Sequence, residues 1–254
     1  MQHFGGVRFM KKFLWLFLIL VLALGTTAGF AKSQPVLKVG TDAAYAPFEY
    51  IDKNGKYAGF DMELIQMVAD ELKMKLELQN IGWDGIIPGL MNGNYDCLIS
   101  AMTITAERQK QIDFTIPYFT IKQAIVVKVN NTTVKGPSDL IGKTIAVQNG
   151  TTGDLYASKI NKVKMKRFDN NPLALQELSN NNADAAVMDD LVAYDSIKTI
   201  SGLKVIEIKD AEPENYGIGV KKGNPLLAKI NNAITALKKN GKLDKLIAKY
   251  KSGK

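Results

Sequence analysis

Histidine is nearly missing from this chain. Its single copy among 254 residues is His3, inside an N-terminal segment that reads as removed on export. The remainder has no imidazole, which excludes histidine-based general acid–base catalysis, Ser-His-Asp and Cys-His nucleophiles and histidine-ligated metals. Cysteine is equally scarce. Cys97 is the one copy, so no intramolecular disulfide can form, and in the apolar run Cys97-Leu98-Ile99 it reads as an inert core residue. Long hydrophobic runs are lacking too: Phe13 to Leu24 falls short of the roughly 20 residues of a membrane-spanning helix. Clustered basic charge is also lacking. The lysines are scattered, with no aromatic-interleaved basic stripe, so nucleic acid is not an expected partner.

The short apolar run has a different use. Arg8, Lys11 and Lys12 precede it, no acidic residue occurs in 1–31, and the small residues Gly29 and Ala31 follow. A basic region, an apolar region and small residues at the −3 and −1 positions make a secretory signal peptide, cleaved after Ala31. An uncleaved anchor is the alternative, and Met10 is an alternative start. No cysteine lies near the cleavage region to accept a lipid. The net charge of +8 falls to +5, from 30 basic and 25 acidic residues, once the segment is gone. Apolar residues at 46% and charged residues at 23% suit a folded, exported protein with a sizeable core.

Beyond residue 35 the pattern alternates strand and helix. Val36–Thr41 reads as a strand, Asp42–Tyr50 as a loop, and Asp61 as the N-cap of a helix whose apolar face is Leu64, Ile65, Val68, Ala69 and Leu72. Leu76–Asn80 and Asp96–Ser100 read as strands around a short helix from Trp83, whereas Ile112–Tyr118 reads as irregular. A second series follows: strands at Ala124–Val129, Thr144–Val147, Val163–Phe168, Asp184–Met188 and Leu203–Ile208, with helices between them. Tyr216–Val220 is a strand. Asn224 and Pro225 open a long amphipathic helix that Gly241 ends, and Leu243–Tyr250 is a last helix. Repeated βα units predict parallel sheets with helices on both faces, and two series predict two lobes.

Chemistry gathers after the strands. Ser100-Ala101-Met102-Thr103-Ile104-Thr105-Ala106-Glu107-Arg108 supplies small residues that let a backbone approach a ligand, hydroxyls, and a guanidinium that grips a carboxylate through two parallel hydrogen bonds. Ligands of open α/β sheets bind at the carboxyl ends of strands. Those ends here carry Asp42 and Tyr45, Trp83, Ser100 to Thr103, Gln148 to Thr152, and Asp189. The plain alternative for each is structural: Asp42 capping a turn, Tyr45 and Trp83 packing, Asp189 capping the helix it opens.

Taken together, Gly40-Thr41-Asp42 with Tyr45-Ala46-Pro47-Phe48, Gly59-Phe60-Asp61, Trp83-Asp84, Thr103 to Arg108, Gly142-Lys143-Thr144, Val147 to Thr152 and Asp184-Ala185-Ala186 with Asp189 resemble the solute-binding proteins of ABC transporters for polar amino acids. They span nearly all of the exported chain. The resemblance implies the type II periplasmic-binding-protein fold: one lobe from 32–117 and 217–254, a second from 122–213, and hinges near 118–122 and 213–216. It implies that Arg108 clamps a ligand α-carboxylate with the backbone N–H groups of Thr103 and Thr152. The α-ammonium would meet Asp189, the Thr103 hydroxyl and the Ala101 carbonyl. Tyr45 and Trp83 would sandwich the ligand side chain, and Asp42 would reach its far end. Ser100, Gln148 and Thr151 complete the expected contacts, with Asp61 and Met188 as secondary candidates.

Arg108 and Asp189 would cancel the two backbone charges of an amino acid, leaving Asp42 for the side chain. Two aromatic walls also favour a cation. Glutamine-binding members carry a lysine where this chain has Gln148 and a histidine where it has Met188, which argues for arginine or lysine, with glutamine as the alternative. The expectation is a monomeric, non-enzymatic periplasmic binder with no cofactor and no metal, delivering a free L-amino acid to ABC permease subunits. A cyclohexadienyl-dehydratase-like enzyme is the rival of another class. No second hydrophobic segment or downstream module precedes Lys254, so a fused receptor is not expected.

Overall fold

The computed structural model describes residues 34–252; the signal-peptide reading of 1–31 lies outside them. Strand β1 (Val36–Thr41) turns Leu37 and Val39 inward and Lys38 outward. It pairs in parallel with β5 (Lys75–Asn80) on one side and β6 (Cys97–Leu98) on the other. Helix α1 (Phe60–Glu71) covers one face with Leu64, Ile65 and Val68 fully buried, each worth about 1.5–3 kcal/mol of burial. Helix α2 (Trp83–Asn92) sets Ile86 and Leu90 on the other. The sheet is finished from the far end of the chain. Strand β15 (Gly219–Lys221) runs antiparallel to β6, and β7 (Ile112–Phe114) pairs beyond it, giving the order β5-β1-β6-β15-β7. Ile112–Phe114 is thus a strand where an irregular segment was expected, because β15 supplies an edge more than a hundred residues later in the chain.

The second sheet has the order β11-β10-β12-β9-β13. It comprises β9 (Gln123–Lys128), β10 (Thr144–Gln148), β11 (Lys164–Phe168), β12 (Ala185–Asp189) and β13 (Leu203–Glu207). Helices α4 (Thr152–Ser158), α5 (Asn171–Ser179) and α6 (Asp190–Thr199) flank it. Two short strands, β8 (Phe119–Ile121) and β14 (Glu214–Tyr216), carry the chain from one sheet to the other and pair antiparallel. The expected strand 216–220 is therefore two strands, one in this connection and one in the first sheet. Helices α7 (Leu226–Lys239) and α8 (Lys242–Lys251) pack on α1. Among the described residues no helix is long and apolar enough to cross a membrane.

Two further expectations are corrected. The segment 42–50 is not a plain loop: β2 (Ala44–Tyr45), β3 (Glu49–Ile51) and β4 (Tyr57–Ala58) form a small antiparallel sheet. Asp61 is not the cap of α1. Gly59 takes that position at φ 119°, and a Cβ there would sit 2.2 Å from the Phe48 carbonyl oxygen. With the chain closed so tightly against Phe48, Asp61 falls inside the helix and its side chain points into the protein.

Candidate functional site

The carboxyl ends of β1, β6, β10 and β12 face one another across the two lobes. Their loops, with Trp83 and the short helix α3 (Ala106–Gln111), line one cavity: Tyr45, Trp83, Ser100, Ala101, Thr103, Arg108, Thr151, Thr152 and Asp189. Thr105 starts α3 by accepting the Arg108 N–H at 3.2 Å, which aims the guanidinium into the cavity. Arg108 Nη1 donates to the Thr103 carbonyl at 2.8 Å and Nη2 to the Gly150 carbonyl at 3.2 Å, so one side chain spans both lobes. Its Cζ lies 5.0 Å from the centre of the Trp83 ring, a cation–π contact. Burial favours its neutral form, while Asp189, Tyr45 and Glu214 favour the charged one. A guanidinium stays charged throughout.

Asp189 ends β12 and makes no capping bond to α6. It is 4% exposed. Its carboxylate accepts from the Tyr45 hydroxyl at 2.7 Å, from the Tyr216 hydroxyl, and from Gln123 Nε2 at 2.6 Å. Burial raises its pKa to about 6, and these donors hold it from going higher. Asp42 is also buried. Its pKa is raised to about 6 by burial, opposed by Gln148 and the Trp83 N–H. Gln148 Nε2 reaches it across the lobes at 3.4 Å. Asn149 Nδ2 lies 3.4 Å from Asp84 in a second cross-lobe pairing.

The remaining candidates divide. Thr151 caps α4, accepting the Asp154 N–H at 3.2 Å and donating to the Gln148 carbonyl at 2.8 Å. The Thr152 and Thr103 hydroxyls are 3.4 Å apart. Ser100 lines the cavity, but its hydroxyl accepts the Asp42 N–H at 3.0 Å and donates to Glu49 at 3.0 Å. Asp42, Gln148, Asp61 and Met188 do not line it: Asp42 and Gln148 are buried and pair with each other, Asp61 is fully buried and Met188 packs in the core.

A family model described as bacterial extracellular solute-binding proteins, family 3, matches residues 37–253. The chain belongs to that family. This solute-binding protein is 35% identical over 227 residues to the probable histidine-binding protein of Neisseria gonorrhoeae, covering 87% of this chain and 84% of that one. Two solved structures are similar. An ancestral arginine-binding protein bound to arginine shares 43% identity at a TM-score of 0.82, covering 85% of this chain and 98% of that chain. An ancestral arginine-binding protein bound to glutamine shares 44% at 0.82, with the same coverage. The fold of this solute-binding protein is accordingly the two-lobe, type II periplasmic-binding-protein fold expected above.

Two residues of its site were missed by the sequence reading. Glu214, on β14, accepts from the Thr103 hydroxyl at 3.2 Å and from Gln123 Nε2 at 3.2 Å. Gln123, on β9, also reaches the Thr152 hydroxyl at 3.1 Å. Neither follows a parallel strand's end. The signal available was position: both flank the segments where the chain crosses between lobes. Glu214 changes the charge inventory. Two carboxylates, Asp189 and Glu214, face the one cation Arg108, and a third, Asp42, is buried beside Ser100 and Gln148.

Proposed function

We propose that this protein is the extracytoplasmic ligand-binding component of an ABC importer and takes a basic L-amino acid, arginine or lysine. The observation that carries the ligand class is the excess of carboxylates around Arg108. An amino acid brings one carboxylate, and Arg108 offers it two parallel donors. A basic one brings two cations, which Asp42, Asp189 and Glu214 can face in a water-poor site where an unpaired charge is costly. In this reading Arg108, with the Thr103 and Thr152 N–H groups, holds the α-carboxylate. Asp189, the Thr103 hydroxyl and the Ala101 carbonyl hold the α-ammonium, Tyr45 and Trp83 flank the side chain, and Asp42 with Gln148 meets its far end. The ligand takes over bonds that the lobes make to each other, among them Arg108 to Gly150 and Tyr45 to Asp189.

The relatives, an ancestral arginine-binding protein and a probable histidine-binding protein, support the same class. Lobe one is 32–117 with 217–254, lobe two 122–213, and the hinges lie near 118–122 and 213–216. Closure by hinge motion then reports a loaded monomer to the permease. Binding rather than turnover is its role, and export into the periplasm follows from the signal peptide. Glutamine is the second reading, favoured by the glutamine-bound relative.

Isothermal titration with arginine, lysine and glutamine tests this, on the wild type and on Asp42→Asn. A buried hydrogen bond to a charge contributes about 1.5–3 kcal/mol. Asp42→Asn should therefore weaken arginine by about tenfold to a hundredfold and glutamine far less. Equal losses for the two ligands would count against a basic ligand.

A further inference from the structure

Beneath the site lies a pair of acids that the ligand-binding reading does not use. Glu49 and Asp61 are both fully buried, and each carboxyl lies within electrostatic reach of the other. No lysine or arginine is paired with either among the described residues. The groups facing them are Asp42 from the end of β1, Tyr45 from β2, Tyr118 before β8 and Tyr250 from α8, all acids. Two ionised carboxylates could not share such a place.

The hydrogen bonds say where the proton sits. Asp61 Oδ2 accepts two donors, the Ala101 N–H at 2.7 Å and the Tyr118 hydroxyl at 2.8 Å. That is the pattern of an anion. Glu49 Oε1 accepts one, from the Ser100 hydroxyl. The oxygens left over are Glu49 Oε2 and Asp61 Oδ1. One proton, carried by Glu49 and donated to Asp61, satisfies both.

We propose that Glu49 and Asp61 are a proton-sharing positioning pair that fixes the floor of the binding site. Asp61 holds the N–H of Ala101, whose backbone sits at φ 43°, a region that a non-glycine residue enters only when its surroundings hold it there. Glu49 holds Ser100, whose hydroxyl in turn holds the N–H of Asp42. The pair thus reaches both the Ala101 carbonyl and Asp42, at opposite ends of the proposed ligand. Losing the shared proton puts two buried anions side by side, with no cation to relieve them, and releases that grip. What the floor is positioned for rests on the amino-acid reading; the proton and the two N–H contacts do not. Burial and the neighbouring acid push the Glu49 carboxyl well above its usual range, in keeping with this geometry.

Urea unfolding of the ligand-free protein at pH 7, 8 and 9 tests the proton. Asp42 and Asp189, raised to about 6, no longer titrate in that window. A proton kept by the folded chain and lost by the unfolded one lowers the folding equilibrium constant by up to tenfold per pH unit. The wild type should show a steeper slope than Glu49→Gln, since the amide donates to Asp61 without titrating; the part that the buried Cys97 thiol contributes is common to both. Parallel slopes would overturn the shared proton. Amide NMR signals and arginine titration test the positioning. Glu49→Ala should shift the Asp42 and Ala101 amides and weaken arginine at least tenfold, and Glu49→Gln should restore both to within about threefold of wild type. Unshifted amides with affinity within threefold in Glu49→Ala would overturn it. Should Glu49→Ala not fold, Ser100→Ala, which cuts Glu49 from Asp42, takes its place. A wild type that binds no amino acid overturns the function proposed above, while the slopes and amides still decide the pair.

Discussion

Arg108 shows how much one residue carries. It spans Thr103 and Gly150, lies over the Trp83 ring and faces Asp189. Lysine keeps the charge but is a point donor that cannot hold two carbonyls in different directions while it faces the ring. Arg108→Lys should cost about a hundredfold in amino-acid affinity, the value of one or two hydrogen bonds to charge, with little change in melting temperature. Titration and a melting curve check both. The acids around it make binding depend on pH. Asp42 and Asp189 sit at about 6 through burial. At these two sites the folded, ligand-free chain binds protons that the unfolded chain releases, so their contribution to stability is greatest in acid and falls as pH rises from about 4 to about 6. A cationic ligand needs the charged forms, so affinity runs the other way. Arginine should bind about tenfold or more weaker at pH 5 than at pH 7.5, each acid then being mostly protonated, and Asp42→Asn should remove part of that dependence. A flat affinity over this range would contradict the acidic pocket. Arg108, Asp189, Tyr45 and Trp83 were legible in the sequence because each stands directly after a strand or at the start of a helix. Glu49 and Asp61 were not, since a carboxylate's burial depends on what folds over it: Asp61 looks like a helix cap until Gly59 is seen to take that place.

Elements decide how these side chains are presented. Helix α4 brings the Gly150–Thr152 loop to the site, and its N-terminal end is held from two sides. Thr151 caps it, while Asp154 accepts the Gly150 N–H at 3.1 Å and is gripped by Arg167 Nε at 2.9 Å. Gly153 lies where the helix meets β12. A Cβ there would stand 2.9 Å from the Val187 carbonyl oxygen and 3.2 Å from Gln123 Oε1. Neither can yield cheaply, because one is sheet backbone and the other is tied to Asp189. Gly153→Ala should therefore push α4 off the sheet, costing about 1–3 kcal/mol of stability and weakening ligand binding as Thr152 moves away from Thr103. Urea unfolding with titration checks it, and unchanged stability would show that the helix can slide. The helices and parallel strands of both lobes were readable from periodicity. The short β2–β4 sheet, β7 and the split of β14 from β15 were not, because their partners lie on distant parts of the chain. Gln123 and Glu214 were missed for the same reason: they join the site only because β8 and β14 cross side by side.

At the scale of the molecule, charged and polar groups meet across the cleft between the two lobes. Asp42 meets Gln148, Asp84 meets Asn149, Arg108 meets Gly150 and Tyr45 meets Asp189. Most of these groups are the proposed ligand contacts. A ligand that replaces weak cross-lobe bonds with paired charges favours the closed arrangement, and whatever binds only the folded, closed chain stabilises it by mass action. At a hundred times its dissociation constant that amounts to about 2.7 kcal/mol, several degrees of melting temperature for a chain of this size. Arginine and lysine should give this shift. Glutamate should give none, because its side chain adds a fourth carboxylate to Asp42, Asp189 and Glu214 with Arg108 already engaged. The same samples in small-angle scattering should show a smaller radius of gyration with arginine than with glutamate, as the lobes are drawn together about β8 and β14. A stabilising shift with glutamate equal to that with arginine would mean that Arg108 outweighs the three acids, and the electrostatic argument for a basic ligand would fail even with the family unchanged.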